Sequence, residues 1–277
     1  MKYTVITVCY NDKIGLEGTI KSVIHQTYKD FEYIIIDGAS TDGSIDIIKK
    51  YSNHISHWVS EPDKGVYSAM NKGIKIAQGE YIIFMNAGDT FYSNDILEKV
   101  DKVNLQCDLA VGKASMTKDG KECSVVVPPQ EITLGFWIHH SVIHQAAFMR
   151  TSMLKEKLYD ETLRIVSDWK YMLHEYITRS YTYQPIPFIV CCFDTTGISS
   201  DNKKRNNERD YVLKELLPPM LYAEHKKYNG FKPMYFNTKF MESLNETFKY
   251  RTLYKFYSSI IPYILKTYKC IKRNNER

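Results

Sequence analysis

Residues 3–9, 31–36 and 81–85, with a shorter run at 55–60, are largely apolar and rich in β-branched side chains. The segments between them repeat apolar residues at helical spacing. Leu16, Ile20, Val23 and Ile24 share a face in the first, Ile45, Ile47 and Ile48 mark the second, and Met70, Ile74 and Ala77 the third. Strands that are apolar on both sides must be covered on both sides, so this alternation predicts a mainly parallel central sheet flanked by helices, an α/β fold. Right-handed crossovers then gather the carboxyl ends of the strands on one edge, where such sheets bind ligands. Four polar clusters fall on that edge: Tyr10, Asp37, residues 61–65 (Glu-Pro-Asp-Lys-Gly) and residues 86–89 (Asn-Ala-Gly-Asp).

The alternation lapses beyond Gly112. Residues 113–116 and 123–127, separated by Lys118-Asp119-Gly120-Lys121, read as a hairpin. A loop with Trp137, His139, His140 and His144 follows, then strands near 146–149 and 188–192 and a helix from Ser167-Asp168 to about Ile177. The polar run 201–209 reads as a linker or mobile loop, and the remainder as helical. The chain therefore divides into one unit over 1–202, with halves meeting near residue 112, and a helical extension over 203–277.

The net charge of +5 conceals a division. Residues 1–202 carry 20 Lys and Arg against 25 Asp and Glu, whereas residues 203–277 carry 17 against 7. The extension alone is basic, and it is rich in tyrosine; a surface of that kind suits an anionic partner. Over 249–273, Tyr250, Tyr254, Tyr257, Ile261, Ile264, Tyr268 and Ile271 share one helical face beside Arg251, Lys255, Lys266, Lys269 and Arg273, with Pro262 interrupting. That is the pattern of a helix lying at a membrane surface, and equally of one packed on protein. Six cysteines without a C-x-x-C pair, an N-terminus that runs directly into a strand, and no apolar stretch of about 18 residues predict a cytoplasmic chain whose membrane contact is peripheral.

Asp89 follows an apolar strand in a small-residue loop, where its carboxylate suits a hard divalent cation or a helix cap before Ser93–Val100. Asp37 suits an imide N–H or a turn with Gly38, and Tyr10 can offer its ring for stacking. Asp63 and Lys64 lie between a strand end and a helix start, a place that favours anions such as a diphosphate. Asp168 at the head of a helix reads as a cap or as something more. His139, His140 and His144 lack a companion ligand at zinc spacing.

In this order, these residues resemble the family 2 glycosyltransferases of bacterial capsule, O-antigen and exopolysaccharide assembly, in particular the colanic-acid-type branch. The resemblance spans about residues 3–195. It rests on residues 4–11 (TVITVCYN), 22–28 (SVIHQTY), 36–43 (IDGASTDG), 60–67 (SEPDKGVY), 69–73 (AMNKG) and 85–89 (MNAGD). It implies a GT-A fold with a Rossmann-like nucleotide-sugar-binding half over 1–112 and an acceptor half over 113–202. It also implies a nucleotide-diphosphate sugar donor, expected to be a UDP-sugar, a Mg²⁺ or Mn²⁺ ion and inversion at the anomeric carbon. By position, Tyr10 and Asp37 would hold the base, and Thr7, Asp63, Lys64 and Asn86 the rest of the nucleotide. Asp89 would hold the metal and Asp168 would be the base that deprotonates the acceptor, with His144, Gln145 and Trp169 beside acceptor or sugar. The acidic metal motif of the family appears here as Asn86-Ala87-Gly88-Asp89, which leaves one carboxylate, and Ser167 stands where many relatives have Glu.

The resemblance further implies hexosyl or N-acetylhexosaminyl transfer to a glycan or lipid-diphosphate-linked acceptor at the inner face of the plasma membrane, reached through 249–273. The rival readings are a sugar nucleotidyltransferase, which would need a glycine-rich basic loop after the first strand, and a nucleic-acid-binding protein, which leaves the acidic rim without a purpose; no nucleic acid is expected as partner. A dinucleotide oxidoreductase is excluded, since Tyr10-Asn11-Asp12-Lys13 replaces G-x-G-x-x-G.

Overall fold

The structure, a computed structural model, describes residues 1–228 apart from 119 and 198–200. The amphipathic stretch 249–273 lies outside the described residues. The helices and strands are β1 (Tyr3–Cys9), α1 (Lys13–Ile24), β2 (Phe31–Asp37), α2 (Ser44–Lys50), β3 (His57–Ser60), α3 (Val66–Ile76), β4 (Tyr81–Phe84), β5 (Thr90–Phe91), α4 (Ile96–Val103), β6 (Leu109–Lys118), β7 (Lys121–Val126), α5 (Leu134–His139), β8 (Ala147–Arg150), α6 (Thr151–Glu156), α7 (Ser167–Thr178), β9 (Tyr183–Asp194), α8 (Asn202–Leu216) and α9 (Pro219–Tyr228).

Among these residues one sheet runs β3-β2-β1-β4-β8-β6-β9-β5, with β7 off this path and paired antiparallel to residues 114–118 of β6. The first four strands are parallel throughout. β8 then enters antiparallel between β4 and β6, β6 and β9 are parallel, and β5 closes the order antiparallel to β9. The whole is a mixed α/β sheet of GT-A type, its parallel character confined mainly to the N-terminal strands. Alternate residues of β1 serve two cores: Ile6 and Val8 pack with α3, α5, α7 and α8, while Tyr3, Val5 and Cys9 pack with α1, α2 and α4. Parallel register sets Cys9, Asp37 and Ser60 side by side, so the chain leaves β1, β2 and β3 at one level. That level is the rim anticipated from the alternation.

The polar run 201–209 is not a linker. Asp201 accepts from the Lys204 N–H and caps α8, which continues through Leu216. Val212 and Leu213 are buried in the core that also holds α7, and two apolar residues in a charged stretch leave no periodic stripe to read. α4 begins at Ile96, with Asp95 before it, so Asp89 caps no helix.

Candidate active site

At the rim, the Tyr10 side chain is 67% exposed and lies over Gly38. A Cβ on Gly38 would come within 2.6 Å of Asp63 Oδ2 and 3.2 Å of the Tyr10 ring, so the missing side chain lets an aromatic face and a carboxylate converge. Asp63 also accepts from the Gly65 N–H at 2.8 Å, which fixes the turn into α3; Gly65 has φ +131°, a conformation open to glycine. Arg164 donates to the Lys64 carbonyl and ties this turn to the segment before α7. The Lys64 side chain is solvent-exposed.

Two residues expected at the nucleotide face inward. Thr7 is buried, its hydroxyl engaged by Tyr33 at 3.0 Å and by the Met85 carbonyl at 2.8 Å, because odd-numbered residues of β1 point toward α1. It braces the sheet rather than lining the cleft. Asp37 is equally buried: Ser40 donates to it from its N–H and its hydroxyl, and Ser60 from its hydroxyl. That carboxylate pins the ends of β2 and β3 beneath Tyr10.

Asp168 sits in the first turn of α7 without capping it, its side chain 17% exposed. Tyr67 on α3 donates to Oδ1 at 2.7 Å, and His144 Nδ1 lies 3.2 Å from Oδ2. Burial pushes the Asp168 carboxyl up, but the hydrogen bonds of His144 and Tyr67 outweigh it and hold the group below the usual carboxylate range. The Tyr67 phenol is driven the other way by burial and by the Asp168 charge, so it stays a donor. Its single proton has a second acceptor at 2.7 Å, the Ile165 carbonyl. When Asp168 gains a proton, Tyr67 can turn its O–H to Ile165 and accept from the new acid. Asn86 Nδ2 lies 3.2 Å from His144 Nε2, which makes Nε2 the acceptor and leaves Nδ1–H for Asp168.

Gln145, next to His144, connects the second acid. Its amide donates to Asp89 Oδ2 at 2.8 Å, and the Asp194 N–H donates to Oδ1 at 2.9 Å. Asp89 is only 5% exposed, and burial pushes its carboxyl up to about 7. The consecutive residues His144 and Gln145 thus join Asp168, Asn86 and Asp89 into one network. Trp169 lines the same pocket as His144 and Asp168 but is itself buried, with its indole N–H on the Trp137 carbonyl and the Arg209 guanidinium 4.4 Å from its ring. The position alone could not reveal this burial, since a tryptophan after a polar residue in a helix suits core and cleft alike.

Among the described residues no group of three or more His, Cys, Asp or Glu side chains could hold a metal ion by itself. Hard-cation chemistry is nevertheless present. Asn86 Oδ1 and Gln145 Oε1, on side chains whose amide nitrogens face His144 and Asp89, are buried oxygens with no hydrogen-bond partner, and a buried acceptor left unpaired costs roughly 1–3 kcal/mol. One carboxylate and two amide oxygens are donor types that a hard Mg²⁺ or Mn²⁺ ion accepts. Tyr67, Arg164, Asp194 and Glu208 join the site without having been singled out from the sequence; Tyr67 lies inside a recognisable motif, but the others carry no local signal.

An uncharacterised glycosyltransferase of Mycobacterium tuberculosis (strain CDC 1551 / Oshkosh) is 30% identical over 210 residues, 71% of this chain and 76% of its own. In fold, Staphylococcus aureus TarS 1-349, solved with UDP-GlcNAc, superposes with a TM-score of 0.61 at 18% identity, covering 80% of this chain and 69% of TarS. The mannosyltransferase PcManGT of Pyrobaculum calidifontis, solved with GDP-Man and Mn²⁺, gives 0.57 at 17% identity, covering 82% and 69%. Residues 4–196 match the profile described as Glycosyl transferase family 2, a span holding both the Tyr10 rim and the Asp168 network, and the chain is therefore a member of that family.

Proposed function

We propose that the protein transfers a sugar, with inversion, from a UDP-sugar to a hydroxyl of a glycan or lipid-linked acceptor. The observation that carries this reading is the Asp168 carboxylate, held ionised by Tyr67 and His144. An acceptor hydroxyl is a weak nucleophile at neutral pH. Asp168 takes its proton as the oxygen attacks the anomeric carbon, from the face opposite the departing diphosphate. The Tyr67 hydroxyl then turns to the Ile165 carbonyl and stabilises the protonated acid, while His144 keeps the carboxyl aligned. Tyr10 stacks on the base, and Asp63 and Lys64 flank the nucleotide. A Mg²⁺ or Mn²⁺ ion held by Asp89, with Asn86 Oδ1 and Gln145 Oε1, would supply positive charge to the leaving diphosphate. A UDP donor accords with the TarS complexes, which contain UDP-GlcNAc and UDP. For the acceptor, the basic, tyrosine-rich face of 249–273 favours a lipid-linked sugar at an anionic membrane surface.

Thermal stabilisation and nucleotide release should be measured with a panel of UDP-, GDP- and dTDP-sugars, with Mg²⁺, Mn²⁺ or a chelator. UDP-sugars should stabilise the wild type and Asp168→Asn equally, while Asp168→Asn loses at least about 100-fold in turnover. Stabilisation by GDP- or dTDP-sugars alone overturns the donor assignment. Turnover that survives in Asp168→Asn overturns the base.

A further inference from the structure

Helix α8 lies beyond residue 196, where the family match ends, yet two adjacent residues on it reach the segment that carries Asp168. α7 begins at Ser167 and has no side-chain cap of its own. Glu208 takes up the N–H groups around its start. Its Oε1 accepts from Arg164 at 2.9 Å, and its Oε2 from Ile165 at 2.8 Å and Val166 at 3.2 Å. N–H groups at a helix start have no partner within the helix, and a carboxylate there gains both hydrogen bonds and the favourable helix dipole. Ile165 is held twice, its N–H by Glu208 and its carbonyl by Tyr67, which also holds Asp168. Arg209 grips the opposite side, donating to the carbonyls of Trp137 at 3.4 Å and His140 at 2.6 Å over the ring of Trp169. Val212 and Leu213 anchor the same helix in the core.

We propose that Glu208 is a positioning residue for Asp168, so that a helix outside the family domain completes the active site. The proposal rests on Asp168 being the base. A carboxylate that must meet a hydroxyl at hydrogen-bond distance tolerates little play, and a displacement of about 1 Å can cost on the order of 100-fold in rate. Glu208 removes that play by fixing three consecutive backbone N–H groups, those four, three and two residues before Asp168.

The test uses the full chain carrying Glu208→Gln or Glu208→Ala. It reads steady-state UDP release from the UDP-sugar selected by the panel, UDP affinity by calorimetry, melting temperature, and amide exchange over residues 164–168. Turnover should fall about 10- to 100-fold with donor KM and UDP affinity unchanged. The Ile165 and Val166 amides should exchange faster, and Glu208→Gln should retain more activity than Glu208→Ala because its amide oxygen still accepts. Unchanged turnover overturns the proposal, as does a joint loss of turnover, donor affinity and melting temperature. Asp168→Asn measured in parallel separates the two failures. If it keeps full turnover, the base assignment falls; if it is inactive while both Glu208 variants work normally, only the positioning role falls.

Discussion

Asp168 and Asp89 are one network apart, and their surroundings displace them in opposite directions. Asp168 meets donors strong enough to outweigh its burial, so its ionised form supports the fold above the ordinary carboxylate range, and that support is lost as pH falls through its lowered value. For Asp89 burial prevails, against the Asp194 N–H and the Gln145 amide. With its carboxyl raised from 3.8 to about 7, the folded protein binds more protons than the unfolded chain between those limits. Stability contributed by protonated Asp89 is present in full below the lower limit and is lost as pH rises through the upper one. In chelator-treated protein, Asp89→Asn should therefore flatten the decline in stability between pH 4 and pH 8, by up to about 4 kcal/mol at the alkaline end. Urea unfolding across that range checks it, and an undiminished slope in the variant refutes it. The resemblance assigns a job to each aspartate, but the surroundings that shift them apart were not readable from the residues alone. Asp168 meets Tyr67 across 101 positions and Asp89 meets Gln145 across 56, separations that no local pattern encodes.

At the scale of elements, legibility followed periodicity. β1, α1, β2, α2, α3 and β4 stand within a residue or two of where apolar spacing puts them, because each helix presents a repeating face to one core and each strand alternates between the two. β8 inserts between β4 and β6 through long-range pairing, and the two residues of β5 are a strand only because β9 lies beside them. The first half of α8 reads as a linker in the sequence since a charged helix with two buried residues has the composition of a loop there. Gly79, between α3 and β4, lies against β1. A Cβ there would stand 2.6 Å from both Thr4 N and Tyr3 C, backbone atoms of β1 that cannot swing aside. Gly79→Ala should accordingly cost about 1–3 kcal/mol by forcing β4 away from its neighbour. The urea midpoint reports the loss, and an unchanged midpoint would mean that the strands have room to part.

For the whole molecule, the division of charge separates an acidic catalytic region from a basic extension. No helix among the described residues is long and apolar enough to cross a membrane, so attraction through 249–273 is the proposed means of meeting a lipid-linked acceptor. The full chain should float with anionic liposomes and a version lacking 249–277 should not, with the difference shrinking as salt is raised. Equal partitioning of the two refutes surface attachment. The reach of Glu208 across to α7 bears on how such enzymes can be recombined. A chimera spliced at residue 196 would import a reactive acid while leaving its brace behind in the donor protein. Swapping specificities between relatives thus demands that the seam fall after Leu216, where the recipient inherits helix and carboxylate as one cassette.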